Sequence, residues 1–212
     1  MVTRIAVVDY GMGNLRSVAR ALAQAAPHAE VEITDRAERL RGAGRIVFPG
    51  QGALPDCMIR LRQRGLLEVV VELTKSRPFL GICLGLQVLF EHSEEGNAVG
   101  LGVLPGLVKR FPQDRFGPHG ERLKVPHMGW NEVHAERDHP LWRGLAPDSR
   151  FYFVHSYFVQ ESLSIQRAAS TTYGQSFTSA VAQDNLFAVQ FHPEKSAVAG
   201  LTLLSNFVHW NP

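Results

Sequence analysis

The sequence predicts an α/β fold with a mostly parallel central sheet flanked by helices, and an antiparallel elaboration in its carboxyl-terminal half. In the first half, short apolar runs alternate with amphipathic helical stretches, as they do in parallel sheets. After Gly96, strand-like runs follow one another with little helix between them, which favours antiparallel pairing. The length of 212 residues and the absence of a linker-like stretch predict a single domain, residues 1–212.

The first half is organised as strands followed by helices. Its predicted strands are Arg4–Asp9, Val31–Thr34, Arg45–Phe48 and Pro78–Leu80. Its predicted helices begin after Asn14, cover Ala53–Arg64 and Leu66–Lys75, and begin again after Cys83 on the spacing of Leu86, Leu89 and Phe90. Asn14 is suited to cap the first helix. Gly11 and Gly13 resemble the start of a dinucleotide loop, but Arg16 stands at the third glycine position, so we expect no cofactor.

The second half contains mainly strands and ends in a helix. Its predicted strands are Leu107–Phe111, Lys124–Val133, Phe151–Val159, Ile165–Thr172, Ser179–Gln183 and Leu186–Phe191. Asp184 and Asn185 predict a tight hairpin turn between the last two strands. The apolar spacing of Val198, Leu201, Leu204 and Val208 predicts a terminal helix over Ser196–Trp210.

Composition excludes several classes of protein. Hydrophobic residues make up 45%, charged residues 20%, and the net charge is +2, too small to favour nucleic acid or an anionic membrane as a partner. No apolar run approaches the roughly 18 residues of a membrane span. Two cysteines form no disulfide framework, so we expect a cytoplasmic protein. No paired His or Cys spacing typical of metal sites occurs, so we expect no metal.

Cys83 is the candidate nucleophile. It lies between Gly81 and Gly85, where a predicted strand meets a predicted helix. This is the thiol counterpart of the Gly-x-Ser-x-Gly elbow, which exposes a nucleophile on a strained turn. A helix amino terminus favours the reactive thiolate. The alternative is a buried structural cysteine between two packing glycines, and for Cys57, within a helical pattern, packing is the expected role.

His192 and Glu194 are the candidate base and its orienting group. They follow the last predicted strand, and residues two apart in an extended chain point the same way. Glu194 would then hold the His192 imidazole in one tautomer. The alternative is a surface turn. For His127 and His155, which lie in aromatic-rich strand ends, the alternative to a functional role is core packing, and for His155 the two interpretations are equal.

The motifs together resemble those of a known enzyme family. Gly81–Gly85, Phe48–Gly50 and Gln190–Glu194 resemble the class I (triad) glutamine amidotransferases. More narrowly, four further motifs are similar to those of glutaminase subunits of imidazole glycerol phosphate synthases: Asp9–Leu15, Pro49–Ala53, Pro126–Asn131 and Tyr152–Tyr157. The resemblance spans Ile5 to Phe207 and implies a flavodoxin-like fold. Gln51 departs from the small or apolar residue common at that position.

The resemblance implies a glutaminase that forms a cysteine thioester. Cys83 would attack the glutamine carboxamide, with His192 and Glu194 completing the triad. The oxyanion would be held by Gly50, Gln51 and Leu84. The glutamine would be held by Gly52, Gln87, Glu95, Ser156 and Tyr157. Glu95 could pair with the substrate ammonium, although without the resemblance a solvated surface charge is the preferred interpretation.

The resemblance also implies a protein partner. Ammonia would pass to a (β/α)8-barrel cyclase subunit that makes imidazole glycerol phosphate and AICAR in histidine biosynthesis. The implied contact residues are Tyr10, Met12, Asn14, Trp130 and Lys195. Two alternatives stay open at this point: a glutaminase subunit of another amidotransferase, and a flavodoxin-like cysteine hydrolase or chaperone.

Overall fold

A computed structural model describes residues 3–117 and 120–212. The strands are β1 (Arg4–Val8), β2 (Glu30–Thr34), β3 (Arg45–Gly50), β4 (Phe79–Cys83), β5 (Phe90–Ser93), β6 (Ala98–Val99), β7 (Leu104–Arg110), β8 (His127–Glu132), β9 (His134–Ala135), β10 (Arg150–His155), β11 (Tyr157–Glu161), β12 (Arg167–Thr172), β13 (Ser176–Gln183) and β14 (Leu186–Val189). The α-helices are α1 (Leu15–Ala25), α2 (Ala37–Gly42), α3 (Leu54–Gln63), α4 (Leu67–Ser76), α5 (Leu84–Gln87) and α6 (Ala197–His209). Short 3₁₀ turns lie at Glu95–Asn97, Pro140–Trp142, Ser164–Gln166 and Pro193–Lys195. None of the described helices is long and apolar enough to cross a membrane.

A mixed sheet organises the chain in the order β2-β1-β3-β4-β14-β13-β11-β7-β5-β6. The strands from β2 to β14 run parallel to their neighbours. From β14 to β7 the pairings are antiparallel. The predicted hairpin at Asp184 and Asn185 joins β13 to β14. This sheet confirms the predicted fold class.

The sheet separates two apolar cores, because successive side chains of a strand point to opposite faces. Ile5 and Val7 of β1 pack into one core with α1 and α6, whereas Ala6 and Val8 pack into the other with α2, α3 and α4. The alternation along one strand is thus the sequence signal for helices on both faces of the sheet. Asn14 occupies the predicted cap position of α1, but its side chain makes no capping hydrogen bond.

Two predicted elements were wrong in detail, and one helix was missed. The helix after Cys83 ends at Gln87, and Phe90 begins β5, whose backbone pairs with β7. The apolar spacing of this run fits helix or strand equally, and the pairing with β7 decides it. The single strand predicted over Phe151–Val159 is broken at Ser156, since β10 pairs with β8 in a separate two-stranded sheet and β11 joins the main sheet. Helix α2 was not predicted.

The backbone of α5 lies directly on β3. A Cβ atom on Gly85 would stand 2.0 Å from the Phe48 carbonyl oxygen. A Cβ on Gly50 would stand 2.6 Å from the Leu84 Cβ, and a Cβ on Gly81 would stand 2.6 Å from the Gly85 carbonyl oxygen. Side chains at these positions would force the turn after β4 away from the sheet.

Gly85→Ala should therefore destabilise the fold. The contact at 2.0 Å is with backbone, which cannot move aside as a side chain can. We expect a loss of about 3 kcal/mol in the free energy of unfolding, measured by urea denaturation. Gly42→Ala is the matched control, because a Cβ there would meet nothing within 4 Å at the end of α2, and it should be neutral or slightly stabilising. Equal urea midpoints for the two variants would contradict the close packing of α5 on β3.

Candidate active site

Three neighbouring parallel strands bring the candidate residues together. In the sheet, β4 lies between β3 and β14. Gly50 at the end of β3 pairs with Cys83 at the end of β4, and Val189 at the end of β14 pairs with Ile82. The carboxyl ends of these strands therefore place the segment after Gly50, the thiol and the segment leading to His192 at one edge, where α/β sheets bind ligands.

Cys83 has the backbone strain expected of a nucleophile elbow. Its φ of 55° and ψ of −108° lie in a region that residues with a side chain rarely adopt. The side chain is mostly buried. Helix α5 is a single turn of four residues, so the helix amino terminus predicted to favour the thiolate is short. A strained, non-glycine residue at the edge of a cavity is the kind of position where strain is associated with function.

His192 and Glu194 form a buried pair. His192 Nδ1 lies 2.8 Å from Glu194 Oε1, and both side chains are at most 2% exposed. The residues between them form the 3₁₀ turn Pro193–Lys195, so the contact arises from a turn rather than from the extended chain that the spacing predicted. His192 Nε2 is buried and completes no hydrogen bond. That nitrogen remains available to exchange a proton.

The surroundings favour the charged form of His192. Burial by itself lowers its pKa, but the Cys83 sulfur and the Glu194 carboxylate outweigh burial and raise the pKa to about 10. Cys83 and His192 both line the cavity, and the Cys83 sulfur is close enough to the imidazole to raise its pKa. The three residues thus form a line in which Glu194 stabilises an imidazolium beside the thiol.

Gln190 is a residue of the site that the sequence analysis did not assign. It is fully buried, and its Nε2 lies 3.7 Å from Cys83 Sγ. Gln87 Nε2 donates to Gln190 Oε1 and to the Tyr157 carbonyl, both at 3.0 Å. The available signal was its position two residues before His192, which places both side chains on the same side of the chain leaving β14.

A cavity of about 450 Å³ opens over the thiol. The predicted residues that line it are Gln51, Gly52, Cys83, Leu84, Gln87, Glu95, Ser156, Tyr157, His192 and Lys195. Pro126, Val154 and His155 also line it and were not predicted to do so. Gly50 is not one of the lining residues, but it pairs with Cys83 in the sheet. The structure therefore collects nearly all predicted catalytic and substrate-binding residues around one space.

Glu95 is anchored rather than freely solvated. Its Oε2 accepts a hydrogen bond of 2.8 Å from the Leu54 N–H at the start of α3. Burial raises its pKa, the Leu54 N–H opposes that rise, and Asp56 adds to it. A half-buried carboxylate held at the cavity has a fixed place from which it can meet a cation.

The burial of Tyr10 contradicts the prediction that this residue contacts a partner. Its side chain is fully buried and stacks on Phe48, with ring centroids 5.1 Å apart. Its hydroxyl interacts with the Gln51 N–H and with Cys57, without completing a hydrogen bond of good geometry. Cys57 is also fully buried, and burial raises its pKa to about 12, as expected for a packing cysteine.

The other predicted contact residues reach the surface. Trp130 is 46% exposed, Asn14 and Lys195 are exposed, and Met12 is half-buried. The Lys195 ammonium lies 5.7 Å from the Tyr152 ring centroid. Within residues 3–117 and 120–212, no cluster of three or more His, Cys, Asp or Glu side chains is placed to hold a metal ion.

Comparison with known proteins identifies the family. The family model for class I glutamine amidotransferases matches residues 6–210. Imidazole glycerol phosphate synthase subunit HisH of Nitrosospira multiformis is 59% identical over 211 residues, covering 99% of each chain. The subunit of the same name from Aromatoleum aromaticum is 58% identical over 209 residues, covering 98% of this chain and 99% of the relative.

Solved structures agree on the fold. PurLQS from Thermotoga maritima superimposes with a TM-score of 0.72 at 16% identity, covering 99% of both chains. A structure described as a glutamine amidotransferase gives a TM-score of 0.71 at 21% identity, covering 96% of this chain and 97% of the other. Together with the sequence match, which extends over nearly the whole chain, these likenesses allow one conclusion. The chain belongs to the class I glutamine amidotransferase family.

Proposed function

We propose that this chain is the glutaminase subunit of an imidazole glycerol phosphate synthase, hydrolysing L-glutamine to glutamate and ammonia through a thioester on Cys83. The single observation that carries the proposal is the buried line of Glu194, His192 and Cys83 at a cavity edge. The names of the full-length relatives support the choice of synthase. We likewise propose that residues 1–212 form one glutamine amidotransferase domain.

The reaction begins with attack of the Cys83 thiolate on the glutamine side-chain carbonyl. The tetrahedral intermediate collapses as the His192 imidazolium gives its proton to the nitrogen, the C–N bond breaks and ammonia leaves. Water then gives a proton to His192 and attacks the thioester. The C–S bond breaks, glutamate is released and the thiolate is restored. Glu194 holds His192 in place and stabilises its charged form throughout.

The negative oxygen of the intermediate needs donors beside Cys83. The Leu84 N–H is one of the first donors of α5, which have no acceptor inside the helix. We assign the second donor to the Gln51 N–H on the segment after Gly50. One missing donor of this kind costs about 10²–10³ in rate.

The glutamine occupies the cavity with its carboxamide at Cys83. Glu95, fixed by the Leu54 N–H, pairs with the substrate ammonium. Gly52 adopts a φ of 89°, which a residue with a side chain would rarely accept, and so lets the chain curve along the cavity. Gln87, Ser156 and Tyr157 also line the cavity and complete the proposed glutamine site.

The ammonia passes to a (β/α)8-barrel cyclase subunit that docks at the edge of the sheet where the site opens. Trp130 and the neighbouring Met128, which is 62% exposed, offer apolar area for such a partner. Met12, Asn14 and Lys195 complete the proposed contact surface. Because ammonia is protonated and lost in bulk water, a docked partner is what makes it useful. The expected location of such a biosynthetic pair is the cytoplasm.

Cys83→Ala should abolish glutamine hydrolysis, since no other nucleophile occupies the elbow. Its complex with the barrel subunit should still form imidazole glycerol phosphate from an added ammonium salt, because the barrel's chemistry does not use the thiol. Both activities are measured by product formation with either nitrogen source. Cys57→Ala is the matched control and should keep the glutamine-dependent activity, because Cys57 is buried in the core.

Two results would contradict this assignment. Glutamine hydrolysis by the Cys83→Ala variant would rule out a thioester on Cys83 as the intermediate. If Cys83→Ala abolished the ammonium-dependent activity as well as the glutamine-dependent activity, the proposal that the two reactions take place at two separate sites would be wrong.

The His192 imidazole should titrate at an unusually high pH, and its pKa should depend on both Glu194 and Cys83. Glu194→Gln or Cys83→Ala removes a raising influence while burial remains, so each should bring the pKa down from about 10 toward the ordinary 6.5. An NMR titration of the imidazole measures this. Because the folded-state pKa is raised, charged His192 stabilises the fold fully below pH 6.5, and that contribution is lost as pH rises through about 10.

The kinetic effects should rank accordingly. Glu194→Gln should reduce kcat less than His192→Ala, because Glu194 orients the base and does not itself transfer protons. A larger loss of kcat in Glu194→Gln than in His192→Ala would contradict the roles assigned to these two residues. An unchanged His192 titration in both variants would show that the three residues do not act as a line.

A further inference from the structure

A chain of hydrogen bonds leads from strand β8 to the cavity. The Asn131 side-chain nitrogen lies 3.2 Å from His127 Nε2, and His127 Nδ1 lies 2.9 Å from His155 Nε2. His155 Nδ1 lies 2.7 Å from the Tyr157 carbonyl oxygen. The same carbonyl accepts from Gln87 Nε2 at 3.0 Å. Both histidines are buried, and His155 and Tyr157 line the cavity.

The carbonyl at the inner end fixes the direction of every hydrogen bond in this chain. A carbonyl can only accept, so His155 Nδ1 carries the hydrogen, and its Nε2 accepts from His127 Nδ1. His127 Nε2 then accepts from the Asn131 amide. The amide orientation agrees, because Asn131 Oδ1 accepts from the Glu132 N–H while its nitrogen also donates to the Thr172 carbonyl. One arrangement of neutral tautomers thus satisfies every ring nitrogen.

The surroundings keep both rings neutral. Burial, followed by Arg115, lowers the pKa of His127 to about 4. Burial, followed by His127 and with further contributions from His192 and Arg115, lowers the pKa of His155 to about 3, against the opposing Tyr157 carbonyl. Neither ring therefore exchanges a proton near neutral pH, so their contribution is directional hydrogen bonding.

Packing alone does not account for imidazoles at these two positions. His155 is surrounded by the rings of Phe111, Phe153 and Phe177, at centroid distances of 5.1 to 5.6 Å. An apolar side chain would fill such a cage without the cost of burying polar nitrogens. What an imidazole adds is a rigid N–H aimed at the Tyr157 carbonyl, at the point where β10 ends and β11 begins.

We propose that His127 and His155 are positioning residues for glutamine binding, which hold the Tyr157 side of the cavity in place through the His155 N–H and its support from His127 and Asn131. The inference rests on the proposed glutaminase function and adds two residues to it. With the His155 N–H in place, the Tyr157 carbonyl stays fixed, and with it the Gln87 side chain that donates to the same carbonyl and lines the glutamine cavity. Without it, the segment around Ser156 loses the hydrogen bond that ties it to the separate β8–β10 sheet.

A matched pair of substitutions at His155 tests the proposal. His155→Asn keeps an N–H donor at the δ position, whereas His155→Leu has nearly the same size and no donor. We expect His155→Leu to raise the KM for glutamine roughly tenfold, the size of one lost hydrogen bond, and His155→Asn to stay within about threefold of the unaltered chain. In both variants kcat should change less than about threefold, because the triad is untouched. Assays use the full chain with its barrel partner.

A purely structural role predicts the opposite order, because the apolar cage should accept leucine better than asparagine. Equal KM values, or a smaller KM change in His155→Leu, would overturn the proposal. His139 supplies the control pair: it is also held neutral by burial, with a pKa of about 4, and packs on Phe187 and Trp210 instead of the cavity. His139→Asn and His139→Leu should leave KM unchanged.

A second measurement uses the unaltered chain and does not depend on its enzymatic activity. Nitrogen-15 NMR of the unaltered chain should show both His127 and His155 as the tautomer with hydrogen on Nδ1. Hydrogen on Nε2 of either ring would overturn the proposal. If the unaltered complex fails to hydrolyse glutamine, the proposed function is wrong, and the NMR result still decides whether the hydrogen-bonded chain exists.

Discussion

The candidate site depends on one close approach of backbone to backbone, that of α5 on β3. Because Gly85 has no side chain, the turn after β4 can fold back to within contact of the Phe48 carbonyl. This contact holds Cys83 in its strained conformation and places it beside Gly50, its partner in the sheet. The neighbouring β14 then delivers Gln190 and His192 to the same edge. Cys83, His192 and the segment after Gly50 are therefore brought together by strand order rather than by flexible loops.

The site uses histidine in two different electrostatic states. His192 is buried beside a carboxylate and a thiol, so it is charged and can move a proton. His127 and His155 are buried beside each other, and no carboxylate within residues 3–117 and 120–212 raises the pKa of either ring, so both are neutral and act only as directional hydrogen-bonding groups. An uncompensated buried charge is costly, so His192 is charged only because the Cys83 sulfur and the Glu194 carboxylate both lie beside it.

Much of the fold and of the candidate site could be predicted from the sequence, wherever a local pattern of residues specifies the structure. The strand–turn–helix pattern at Cys83 and the His-Pro-Glu sequence after the last strand predicted the side chains that meet beside the cavity, and the alternation of strand and helix predicted the parallel sheet. The short α5 and β5 could not be predicted, because their apolar run fits either conformation and pairing with β7 decides. The burial of Tyr10 on Phe48 and the contact of His155 with His127 depend on which strands become neighbours, which no local pattern specifies.

The central claim is that glutamine is hydrolysed through a covalent intermediate on Cys83. The most direct test is to quench the complex with acid during turnover of glutamine and to map its peptides by mass spectrometry. The account predicts a γ-glutamyl adduct on the peptide that contains Cys83, and none on the peptide that contains Cys57. Turnover of glutamine with no adduct on Cys83, or with the adduct on Cys57, would contradict it.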